Sequence, residues 1–151
     1  MLLQQDRAQT AIAVALDVAF QAGRGGQLAG AAEVAERLGV SRRGLEPVLQ
    51  ALSRAGLLES LRGPRGGYRL ARRPRDITLR DIIAAVAEAP PEAPEASLNG
   101  PLQGAVVAPL WQELDALLRE RLAALSLDDL LKRAAAAGLR RPVAEPLNFT
   151  I

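Results

Sequence analysis

A mainly α-helical fold with one small β-hairpin is predicted by three features of this chain. Residues 34–58 read as two helices joined by a sharp glycine turn. Two short strand-like runs, 57–61 and 68–70, then flank the tract Arg62-Gly63-Pro64-Arg65-Gly66-Gly67. Finally, a long amphipathic helix occupies 106–125. This order is that of a helix-turn-helix with a β-hairpin wing, continued into a long helix suited to dimerisation. The expected division is a winged helix-turn-helix over 1–88, a loop over 89–105, a dimerisation helix and C-terminal helix over 106–138, and a tail over 139–151.

Each element has a local cause. Residues 5–22 form a helix whose centre, Ala11-Ile12-Ala13-Val14-Ala15-Leu16, is apolar all round, the mark of burial on more than one side. Glycines at 23, 25 and 26 end it. In the next helix, 31–38, Ala31, Val34, Ala35 and Leu38 share a face; Gly39 supplies the left-handed turn and Ser41 a good N-cap. Over 42–55, Leu45, Val48, Leu49 and Leu52 lie at i, i+3, i+4 and i+7, which leaves Arg42, Arg43, Glu46, Gln50 and Arg54 outside. Pro47 interrupts this pattern. Either the regular helix starts near Leu45 with Pro47 in its first turn, or the helix bends there; the late start is expected. Thr78 with Asp81, and Ser126 with Asp129, are capping boxes that open helices reaching Ala87 and Ala137. Prolines 90, 91, 94 and 101 make 89–105 a loop.

Charge is unevenly distributed. The net charge is only +2, yet residues 1–80 carry 13 Arg against 7 Asp and Glu, whereas residues 81–151 carry 6 Lys and Arg against 10 Asp and Glu. A basic front half suits a polyanion. The pI of 9.9 overstates this, because almost nothing titrates between the carboxylates and Tyr68. The chain has neither Cys nor His, which excludes thiol redox switches, imidazole catalysis and the usual zinc sites. No catalytic constellation and no metal site are expected. The apolar run 11–20 is broken by Asp17, so neither a signal peptide nor a membrane span is expected, and the cytoplasm is the expected location.

The chemistry of the motif is that of DNA reading. The first turns of the second helix would enter the major groove with Ser41, Arg42, Arg43, Glu46 and Gln50, since Arg reads guanine, Gln adenine and Glu cytosine. The wing tip, Arg62, Gly63, Pro64, Arg65, Gly66, Gly67 and Tyr68, is slim and cationic enough for the minor groove. The glycine loop lacks the ending of a phosphate-binding P-loop. The later stripe of Val107, Leu110, Trp111, Leu114, Leu117, Leu118, Leu122 and Leu125 is long for the edge of so small a domain and is expected to pair with its own copy. A DNA-binding homodimer, acting as a repressor, follows; a winged-helix scaffold binding a protein partner is the alternative.

The run from Val34 to Ser41, then Leu45-Glu-Pro-Val-Leu-Gln-Ala-Leu52, Arg54-Ala-Gly-Leu-Leu58 and Arg62 through Tyr68 to Ala71, resembles the IscR-like bacterial regulators, the Rrf-two family. Ile77–Ile83 and Trp111 to Leu130 fall where that family has its fourth, dimerisation and last helices. The resemblance implies a bacterial, homodimeric winged-helix transcription regulator whose DNA contacts carry over to Ser41, Arg42, Arg43, Glu46 and the wing from Arg62 to Tyr68. Many members hold an iron–sulfur cluster on three cysteines in the loop before the long helix. Here 89–105 has no Cys and no His, so no cofactor is expected, and any effector or partner protein is left open.

Overall fold

The computed structural model describes residues 5–22, 27–87 and 98–142. Helix α1 (Gln5–Ala22) is the centre of the molecule, packed on four helices and the hairpin. Its Ala11, Val14, Ala15, Val18 and Ala19 are buried, which is why this helix is apolar around most of its girth. Around it stand α2 (Ala31–Leu38), α3 (Arg42–Arg54), strands β1 (Leu58–Leu61) and β2 (Gly67–Leu70), α4 (Leu79–Val86), α5 (Ala108–Ala124) and α6 (Leu127–Ala136). A mainly helical fold with a two-stranded wing is what the sequence predicts.

The α2–α3 turn is built as expected. Gly39 sits at φ 66°, and its amide and that of Val40 close on α2 carbonyls. The Ser41 hydroxyl then accepts from the Gly44 amide at 3.1 Å. Across α1 and α2, the Arg37 guanidinium grips Asp17 through both carboxylate oxygens, at 2.8–3.1 Å, which fixes the angle at which α2 leaves the core. That contact raises the Arg37 pKa further above its ordinary value.

Pro47 corrects the late helix start. Helix α3 begins at Arg42, capped by Ser41, and Leu45 donates to the Ser41 carbonyl at 3.1 Å. Pro47 therefore lies in the second turn, where its missing amide forgoes one helical hydrogen bond and its ring crowds the preceding turn, a cost of about 3 kcal/mol. The cap and the burial of Leu45, Val48, Leu49 and Leu52, worth roughly 1.5–3 kcal/mol each, outweigh it.

The wing pairs Leu58 with Leu70, Glu59 with Arg69, Ser60 with Tyr68 and Leu61 with Gly67 in antiparallel register. Arg69 and Glu59 form an ion pair across it at 2.8 Å. Ala29 exchanges two backbone hydrogen bonds with Tyr68, at 2.9 and 2.8 Å, and so acts as a one-residue third strand. Nothing in the local pattern around Ala29 announces this.

Both capping boxes form, and they also join. Leu79 donates to the Leu125 carbonyl and Leu127 to the Ile77 carbonyl, both at 2.9 Å, so the starts of α4 and α6 are stitched by a short bridge between Thr78 and Ser126. In the second box the Asp129 carboxylate accepts from the Ser126 amide and hydroxyl, which lowers its pKa. Helical turns before α5 begin at Pro101, inside the stretch expected as loop, and run through a π-helical turn, Gln103–Val107. Pro101 suits a first helical position. The expected loop before residue 98 and the tail beyond 142 lie outside the described residues.

Candidate nucleic-acid interface

Helix α3 and the wing face each other across an open cleft of about 400 Å³. Arg42, Glu46 and Gln50 enter it from the helix, and Arg62, Gly63, Gly66, Gly67 and Tyr68 from the wing. These eight residues were singled out by sequence and come together in space. Ala31 at the start of α2 and Leu61 in β1 also line the cleft and were not anticipated. Neither carries a polar signal; each is there because its element ends at the cleft.

The other four expected residues stand elsewhere. The Ser41 oxygen is engaged by the Gly44 amide, which leaves its O–H free to donate. Arg43 is exposed on the outer face of α3, and Pro64 and Arg65 are exposed at the wing tip. Arg42 approaches Glu46 at 3.6 Å across one helical turn. With both groups more than half exposed, the pair is worth at most a few tenths of a kcal/mol and yields readily to a stronger anion. Arg42 and Arg62 thus line the cleft itself, while Arg43 and Arg65 are exposed on the same capped helix and narrow hairpin.

The wing needs glycine for space as well as slimness. A Cβ on Gly67 would meet the Ala29 carbonyl oxygen at 2.8 Å and its carbon at 2.9 Å, and one on Gly66 would collide with the Leu61 carbonyl oxygen. Only a bare backbone lets Ala29 pair with Tyr68 beside the hairpin.

The long-helix stripe divides in two. Val107, Leu110, Trp111, Leu114 and Leu117 are exposed, and Leu102 and Val106 extend that apolar face backwards. Leu118 is half-buried, while Leu122 and Leu125, also half-buried, pack against the core of the same chain. Helix α5 has no buried residue of its own, so its N-terminal two-thirds presents an uncovered apolar face.

A capped reading helix beside a glycine-rich basic hairpin defines the winged helix-turn-helix class. The chain belongs to the Rrf2 family, described as iron-dependent transcriptional regulators, whose model matches residues 5–133. An HTH-type transcriptional regulator IscR from Vibrio campbellii is 36% identical over 104 residues, 67% of this chain. The chain spans 61% of the length of that relative. Among solved structures, the IscR of T. potens superposes with a TM-score of 0.72 at 30% identity, covering 91% of each chain. CymR, the global cysteine regulator of B. subtilis, gives 0.71 at 26% identity, covering 88% of this chain and 98% of that one.

The family description implies iron, and the donor set here does not fit it. Cluster iron takes soft thiolates with an occasional imidazole, and this chain has no Cys and no His at any position. The carboxylates of the relevant loop, Glu92 and Glu95, lie outside the described residues and in any case suit hard ions. Among the described residues no group of three potential ligands converges. The protein purified without oxygen is expected to be colourless and free of stoichiometric iron, with DNA binding indifferent to nitric oxide and chelators. Absorption near 400 nm with bound iron would refute this.

Proposed function

We propose that this chain is a sequence-specific DNA-binding transcriptional regulator, acting in the cytoplasm as a homodimeric repressor without an iron–sulfur cluster. The observation that supports it best is the cleft between α3 and the wing, which joins base-reading side chains to a cationic hairpin. A helix of this polarity fits the major groove, and the arginine tip fits the narrower groove beside it. The exposed apolar face of α5 is where a second copy would pair, giving two reading heads for a near-palindromic site with half-sites about one helical turn apart. Repression asks only for occupancy of a site overlapping a promoter. No helix among the described residues is long and apolar enough to cross a membrane, in keeping with a partner in solution.

The direct test is binding to random-sequence duplexes across a salt series. If each subunit neutralises about 3–4 phosphates, the log–log slope for a dimer is near −6. A flat response, or no binding at low salt, would leave the protein-binding scaffold as the better reading. Single substitutions separate the two surfaces. Arg65→Ala at the exposed wing tip is expected to weaken binding to all sites alike, because it meets groove and phosphate. Arg43→Ala also changes which bases are preferred, by about 1–3 kcal/mol at one position. Equal losses on every member of a site-variant panel would remove the distinction.

A further inference from the structure

Opposite the buried Leu45, Val48, Leu49 and Leu52, the outer ridge of α3 is formed by Arg43, Pro47, Gln50 and Arg54. They lie at i, i+4, i+7 and i+11, and all four are exposed. Three are long and polar. Pro47 is not, and its position is unfavourable for the helix, since it offers no amide to the carbonyl of Arg43 and its ring crowds that oxygen. Its exposed ring recovers nothing by burial within the chain. The one apolar group on the ridge thus stands at its middle, between two side chains suited to base edges.

Resting on the DNA-binding reading above, we propose that Pro47 is a specificity-determining residue whose ring methylenes contact the C5-methyl of a thymine in the major groove. A proline ring carries neither donor nor acceptor, so it cannot answer the polar edge of a guanine, adenine or cytosine. Covering such an edge strips its water without replacement. The thymine methyl is the one apolar group that base pairs present in that groove. Spacing fixes where it lies. Pro47 is about 6 Å along the helix axis from Arg43 and about 4.5 Å from Gln50. One base-pair step is about 3.4 Å. The thymine therefore falls within two base pairs of the position whose identity depends on Arg43.

The test uses the full chain and a site selected from a random duplex pool. Thymines in each half-site are replaced singly by deoxyuridine, which removes the methyl and leaves the pairing edge intact. The expected result is one thymine per half-site, within two base pairs of the Arg43-dependent position, whose methyl is worth about a three- to fourfold change in affinity. In Pro47→Gly that dependence disappears while the response to other positions stays. Glycine is less unfavourable than proline inside a helix, so this variant is expected to fold, with a thermal midpoint no lower than that of the parent. A selected site with no methyl-sensitive thymine, or sensitivity that persists in Pro47→Gly, overturns the role of Pro47 while leaving DNA binding in place. Failure to bind any duplex overturns both.

Discussion

Replacing Leu114 and Leu117 with glutamate will convert the protein to a folded monomer and lower its affinity for a two-half-site duplex by 100-fold or more. Both side chains are about half exposed on α5, at 49% and 55%, so carboxylates there meet water in a single chain and need not disturb its core. In a paired assembly the same carboxylates would be buried against leucines, and burying unpaired charge is strongly unfavourable. The DNA effect is the larger because two linked heads hold one site with an avidity of roughly 10²–10⁴ over one head. Light scattering gives the mass, circular dichroism the retained helix, and a binding titration the affinity. A variant that remains dimeric places the pairing surface elsewhere. Substituting Leu122, which packs on the core of its own chain, is expected instead to lower stability, by about 2–5 kcal/mol for Leu122→Ala as an upper range at this half-buried site.

The second large effect is expected at Gly67, where alanine will disorganise the wing. Its Cβ would lie 2.8–2.9 Å from the Ala29 carbonyl group, against backbone that has no easy way to yield. Relief requires the pairing of Ala29 with Tyr68 to open, and with it the two hydrogen bonds that hold the hairpin to the rest of the head. Overpacking of this kind costs about 1–3 kcal/mol, which corresponds to a fall of several degrees in thermal midpoint. DNA affinity is expected to fall by at least tenfold, because the wing arginines lose their fixed place beside α3. Gly104→Ala serves as the control for stability alone: a Cβ there meets nothing within 4 Å in its own chain, and alanine suits a helix better than glycine, so no fall in thermal midpoint is expected. Unchanged DNA binding by Gly67→Ala would show that the wing position does not matter to the interface.

The reading head was legible in sequence because its signals are local. The spacing of Leu45, Val48, Leu49 and Leu52 sets the buried face of α3. Gly39 and Ser41 set the turn before it. The two capping boxes set where α4 and α6 begin, since cap and partner lie only three residues apart. The absence of cysteine and histidine likewise settles, from sequence, that the chain cannot supply the soft ligands of a cluster.

Pro47 shows where local reasoning stops. Proline predicts a broken or delayed helix, but a capped first turn and four buried side chains hold α3 regular from Arg42 onwards. Ala29 and the α5 stripe show the same limit. Whether one residue of an irregular segment becomes a third strand depends on Tyr68, thirty-nine positions away, and so does the reason Gly67 must lack a side chain. Helical periodicity identifies an apolar face on α5, but it does not say which layer covers each residue. Only the docking of the α5–α6 junction, through Leu79 with Leu125 and Leu127 with Ile77, assigns Leu122 and Leu125 to the core and leaves Leu110, Trp111, Leu114 and Leu117 uncovered. Sequence determined those elements and that chemistry whose signals arise within a few residues of each other. Tertiary structure decided which faces met, because that depends on groups brought together only when the chain has closed on itself.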